Sequence, residues 1–144
     1  MRWLEFGLVL ALVLGVGAGA AKAQEQRIDI ELMVSHVSNE GGEIDPRGQK
    51  LHQKLRGQFR YESLRVLQIR GLRLALNEVG SVGLPNGKSV RVQPLQLSGT
   101  GVLLAVDVEG AARMDLKVRK GHLVVIGAER YQDGKLVISL EPSW

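Results

Sequence analysis

Val102-Leu103-Leu104-Ala105-Val106-Asp107-Val108-Glu109, followed across Gly110-Ala111 by Arg113-Met114-Asp115-Leu116-Lys117-Val118-Arg119, is the stretch that decides the fold. Val102, Leu104, Val106 and Val108 recur at every second position, and Met114, Leu116 and Val118 do the same against charged neighbours. A two-residue period is that of a strand with one buried face, whereas a helix would repeat every 3.6 residues. A glycine-bearing turn between two such runs predicts an antiparallel pair.

The same reading extends outward in both directions. Toward the end of the chain, Lys120-Gly121 is a turn, and Leu123-Val124-Val125-Ile126 and Leu136-Val137-Ile138 are two further strands. The connection between them holds Gln132-Asp133-Gly134-Lys135, where Asp-Gly marks a hairpin. Toward the beginning, residues 79–84 and Val90, Val92, Leu95 and Leu97 flank Pro85-Asn86-Gly87-Lys88, whose Asn-Gly signals another hairpin. Leu67 and Ile69, then Leu72, Leu74 and Leu76, alternate with a one-residue slip near Arg70-Gly71, which predicts a β-bulge there. Ile28, Ile30, Leu32 and Val34 alternate with Asp29, Glu31 and Met33 in the first strand. Residues 38–44 are polar, contain Gly41-Gly42 and read as a loop.

Helix signals fall in one place. Asp45 can cap free backbone N–H groups and Pro46 suits the first helical position. Leu51, Leu55 and Phe59 then step by four along one side, with Lys50, Lys54 and Arg56 on others, and Gly57 ends the run. The expected fold is therefore mainly β, an antiparallel sandwich or partly open barrel of about 7–9 strands, with one short amphipathic helix near residues 45–57.

Residues 1–23 have a different character. Met1-Arg2, the apolar run of residues 7–16 and Ala21-Lys22-Ala23 have the order of a removable signal peptide, with cleavage after Ala23. The apolar stretch of residues 7–21 is shorter than the roughly 20 residues that span a bilayer, which disfavours an uncleaved anchor. Residues 24–144 then form a single β-rich domain, exported to the periplasm or secreted, with no transmembrane span once the signal is removed. The chain has no cysteine, so neither a disulfide nor a lipidated cysteine holds it.

Composition narrows the function classes. Aromatic residues are 4% of the chain, too few for the ring platforms on which bases or sugars stack. His36, His52 and His122 are not spaced as metal ligands and read as half-exposed polar residues. There is no G-x-S-x-G elbow and no phosphate-cradling loop before a helix. No catalytic, cofactor or metal residue is assigned. Glu40, Glu43 and Asp45 share the glycine-bearing loop, and two alternatives rest on them: a hydrolase with an acidic site near residues 40–45, or a calcium-stabilised structural domain.

Residues 47–73 carry eight basic residues against the single acid Glu62. Arg47, Lys50, Lys54, Arg56, Arg60 and Arg65 are thus the candidate partner-binding surface, suited to another envelope protein or an anionic polymer. Export makes nucleic acid an unsuitable partner. The leading expectation is a non-enzymatic binding or assembly module of the bacterial cell envelope or secreted space.

Asp45-Pro46-Arg47 with Leu51, Leu55, Phe59-Arg60-Tyr61, Leu64 and Leu67, followed by strands ending in Gly127-Ala128-Glu129-Arg130-Tyr131, resembles a family of small exported bacterial β-domain proteins with no assigned activity. Leu64 stands where that pattern has an aromatic. The resemblance implies a shared fold and carries over no catalytic residue.

Overall fold

Eight strands run through the chain in the computed structural model, which describes residues 26–144 apart from Phe59 and Ala112. The signal-peptide expectation for residues 1–23 and the packing role of Phe59 lie outside the described residues. The elements are β1 (Arg27–Ser38), a 3-10 turn (Pro46–Gly48) leading into α1 (Gln49–Leu55), then β2 (Ser63–Ala75), β3 (Gly80–Gly83), β4 (Ser89–Leu97), β5 (Gly101–Val108), β6 (Arg113–Arg119), β7 (Val124–Tyr131) and β8 (Gly134–Ser143). They form two four-stranded antiparallel sheets, ordered β2-β1-β8-β7 and β3-β4-β5-β6. This is the expected mainly β sandwich, with strand number inside the expected range.

Alternation explains the layers. Ile28, Ile30, Leu32 and Val34 of β1, with Leu136, Ile138 and Leu140 of β8, face Val90, Val92, Leu104, Val106 and Val118 of the other sheet across one apolar core. The opposite face of the first sheet carries a second, smaller cluster, in which Met33, Val37, Leu64, Val66 and Val137 receive Leu51 and Leu55 of α1. The described residues are therefore three layers deep at the helix and two elsewhere. This accounts for the length of β1, which runs four residues past the alternation of residues 28–34. From Leu32 onward both of its faces are covered, and Ser35, His36 and Ser38 are buried with it.

Several local expectations are corrected. The bulge in β2 does not fall at Gly71, which pairs regularly with Glu31. The register slips where Val34 opposes Gln68 and Ser35 opposes Val66, so Leu67 is the extra residue. The bulge turns Leu67 toward the main core and Val66 toward the helix cluster, which a sequence scan registers as a phase change some residues late. The same device in β4 lies between Pro94 and Gln96, where a residue without an N–H is at home.

The helix is shorter than residues 45–57. Pro46 starts a 3-10 turn, α1 ends at Leu55, and Arg56 is its C-cap. The hairpin at Asn86-Gly87 is built as a Pro-led turn from Leu84, in which the Gly87 N–H donates to the Leu84 carbonyl at 3.1 Å and Gly87 has φ +83°. Between β7 and β8 the positive φ falls on Gln132, at 52°, and Gly134 is already a residue of β8.

Candidate functional site

The loop of residues 39–45, the end of α1, the start of β2 and the β7–β8 hairpin meet at one end of the sandwich. Three adjoining clefts open there. One of ≈ 620 Å³ is lined by Asn39, Gln58, Arg60, Tyr61, Arg130, Asp133 and Lys135 among others. One of ≈ 390 Å³ shares Asn39, Arg60 and Tyr61 with it and adds His52, Arg56 and Glu62. A third, of ≈ 570 Å³, is acidic: Glu40, Glu43 and Asp45 line it together with His36, Arg65 and Asp133.

Tyr61 organises the basic side. Its hydroxyl lies 2.7 Å from His52 Nδ1 and its ring meets the imidazole edge-on with centroids 5.5 Å apart. Burial raises the Tyr61 phenol above its ordinary value, so it stays a neutral hydrogen-bonding group at neutral pH. This bond ties α1 to the segment before β2 and fixes the span that carries Arg56 and Arg60. From the other side the hairpin presents Arg130. Among the described residues, no carboxylate lies within ion-pairing distance of Arg56, Arg60 or Arg130.

The six basic residues expected to form one surface are distributed as follows. Arg56 and Arg60 are brought together. Arg47 is engaged within the chain: its guanidinium pairs with the Asp45 carboxylate at 2.8 Å and donates to the Val66 carbonyl at 3.1 Å. Lys50 pairs with Glu141 and donates to the Gly121 carbonyl at 3.3 Å. Lys54 is exposed on α1, and Arg65 opens onto the acidic cleft. The reading of residues 47–73 missed Arg130 and Lys135. Their signal is that both flank the Asp-Gly hairpin, but nothing local says that this hairpin lies beside the helix.

On the acidic side, Asp45 serves the fold. Oδ1 accepts from Arg47 N–H at 3.0 Å and Oδ2 accepts from Val66 N–H at 3.1 Å, while Asp45 N–H donates to the Leu64 carbonyl. Residues 43–45 thereby lie along the outer edge of β2 as a short parallel bridge. The hydrogen bonds and charge of Arg47, aided by the Val66 N–H, hold this carboxyl well below the usual carboxylate range. Glu40 behaves oppositely. A hydrogen bond to Asp133 and that neighbour's negative charge raise its carboxyl above the ordinary value, and His36 opposes the shift.

His36 corrects the expectation of a half-exposed residue, being 7% exposed. Its Nε2 lies 3.2 Å from the Tyr131 carbonyl and 3.3 Å from Asp133 Oδ1, and its ring packs edge-on to Tyr131. His36, Asp133 and Glu40 thus form a chain of contacts from β1 through the hairpin to the loop. The arrangement can hold and release a proton at Glu40 and can hold the hairpin in place. His52 is partly buried and His122 is exposed just before β7.

No family model matches the chain, and no curated protein matches it. Among solved structures it is similar to Aeromonas hydrophila ExeD, with a TM-score of 0.46 and 12% identity, covering 94% of this chain and 51% of that one. The chain thus spans about half the length of that solved chain, and no residue role is carried over from it.

Proposed function

We propose that the chain is an exported, non-enzymatic binding or assembly module of the bacterial cell envelope, whose helix end receives an acidic segment of another envelope protein. The observation that carries this reading is the convergence of Arg56, Arg60 and Arg130 around Tyr61, from three segments, with no ion pair to any of them among the described residues. Cations left unneutralised at a concave surface attract acidic groups and orient them. The alternatives near residues 40–45 are less well supported, because Asp45, one of their three acids, is engaged by Arg47 and Val66. Among the described residues, no helix is long and apolar enough to cross a membrane.

Titration with hexaglutamate, followed residue by residue in NMR spectra, tests the proposal. Binding should perturb Arg56, Arg60, Tyr61 and Arg130 and should disappear in the Arg56→Glu, Arg60→Glu, Arg130→Glu variant. A variant that binds as well as the parent sinks it, and a preference for a polymeric polyanion such as heparin moves the partner from protein to polymer.

A further inference from the structure

Each sheet of the sandwich ends in two edge strands, and three of the four are blunted. β3 has four residues, β6 alternates Arg113, Asp115, Lys117 and Arg119 with its apolar residues, and β7 carries a register shift at Ile126. The β3–β4 hairpin also holds β7, because Asn86 Nδ2 donates to Glu129 at 2.6 Å and Lys88 pairs with the same carboxylate. β2 differs. It has 13 residues, pairs on one side with β1 and, among the described residues, has no strand on the other. Long open edges are templates for another strand, which is why proteins cover or interrupt them.

The described residues cover both ends of this edge and leave its middle open. At one end the Leu64 N–H donates to the Glu43 carbonyl, and the Val66 N–H and C=O are taken by Asp45 and Arg47. At the other end the Ala75 N–H donates to Glu78 Oε1 at 2.9 Å. Outward-facing backbone groups recur at every second residue of a strand. Counting back from Ala75 therefore points the backbone groups of Arg73, Gly71 and Ile69 outward. The three-residue step from Ile69 to Val66 is accounted for by the bulge at Leu67.

Chemistry at this opening selects the occupant. Ile69 is 44% exposed, one of two large apolar side chains so exposed among the described residues. Arg70 and Arg73 stand on opposite faces beside it. Arg73 approaches Asp29 to 3.9 Å with 74% of its side chain exposed, so that contact leaves it accessible. A second copy of the chain would bring the same arginines to the same patch, and like charges would oppose the pairing. An acidic segment with an apolar residue at the position opposite Ile69 meets both features.

We infer that residues 69–73 of β2 form a strand-addition site, at which an extended acidic segment of a partner protein becomes the fifth strand of the β2-β1-β8-β7 sheet. Main-chain hydrogen bonds to Ile69, Gly71 and Arg73 would hold it, and alternate side chains would be read by Arg70, Arg73 and Ile69. This site is separate from the helix end and does not depend on it.

The test uses residues 24–144 and the blocked heptapeptide Thr-Glu-Val-Thr-Glu-Val-Thr, whose antiparallel pairing puts glutamates opposite Arg73 and Arg70 and valine opposite Ile69. Amide exchange at Ile69, Gly71 and Arg73 should slow by about tenfold when the peptide is present at about ten times its dissociation constant. The slowing should vanish with a peptide N-methylated at alternate amides. It should also vanish in Gly71→Pro, which removes an outward N–H where the backbone is extended and a Cβ would meet nothing within 4 Å. The Arg70→Glu, Arg73→Glu variant, changed at exposed positions, should weaken binding even if Gly71→Pro fails to fold. Binding that survives N-methylation would be charge attraction alone and overturns the proposal, as does absence of binding. Sedimentation showing β2-dependent dimers without peptide would assign the edge to a second copy and overturns it as well. Protection should persist in the Arg56→Glu, Arg60→Glu, Arg130→Glu variant, so failure at one end of the molecule is distinguishable from failure at the other.

Discussion

Asp45 and Glu40 lie five residues apart in one loop, yet their carboxyls respond to acid in opposite directions. Asp45 is stabilised as the anion by Arg47 and the Val66 N–H, so its folded-state affinity for a proton is below its unfolded value. Its contribution to stability is present above the ordinary carboxylate range and is lost as pH falls below it. Glu40 is raised by Asp133, so its contribution is full in acid and is lost as pH rises through the elevated value. Denaturant midpoints measured across pH should therefore fall toward low pH less steeply in Asp45→Asn than in the parent. Glu40→Gln, which carries a permanent N–H donor toward Asp133, should lose the gain that the parent shows on mild acidification. Gly134 is constrained for a different reason. A Cβ there would overlap the Val37 carbonyl oxygen and crowd His36 Nε2. Gly134→Ala should cost about 1–3 kcal/mol in urea denaturation, the usual range for forcing atoms into a packed site.

At the scale of elements, α1 is too short to hold itself together in water and owes its place to Leu51 and Leu55, both fully buried against the first sheet. Leu55→Ala should destabilise by about 2–5 kcal/mol. Hydrogen exchange should show α1 opening before the strands, because the helix cluster is smaller than the core between the sheets. The strands themselves were legible because a half-buried strand writes its period into the sequence, as Val102 to Val108 and Met114 to Val118 do. What was not legible is where two faces are buried at once. Ser35 and His36 look like the polar end of a strand, yet they lie within β1 because α1 and the β7–β8 hairpin cover them. Bulges are similarly hidden: Leu67 is apolar on either side of the slip, so the residues alone cannot say which one is extra.

At the scale of the whole molecule, the helix-end surface is assembled from segments some seventy positions apart in sequence. A local run of basic residues located Arg56 and Arg60 but could not supply Arg130, nor show that Arg47 and Lys50 are engaged by Asp45 and Glu141. Hexaglutamate binding at this surface should weaken steeply as ionic strength rises from about 0.05 M to 0.5 M, since the Debye length shrinks to a few ångströms over that range. Calorimetric titrations at several salt concentrations check this. The order β2-β1-β8-β7 has a separate implication for how the molecule comes into being. β1 is flanked on one side by the last strand, with Asp29 opposite Ser143, so the central pairing waits until some hundred intervening residues have been delivered and their loop closed. Such nonlocal closure is slow, and refolding after rapid dilution should take on the order of milliseconds to seconds. During synthesis the first strand must stay without one of its two neighbours until β8 emerges, and a growing chain halted before Gly134 should be open to proteases where the finished protein is resistant.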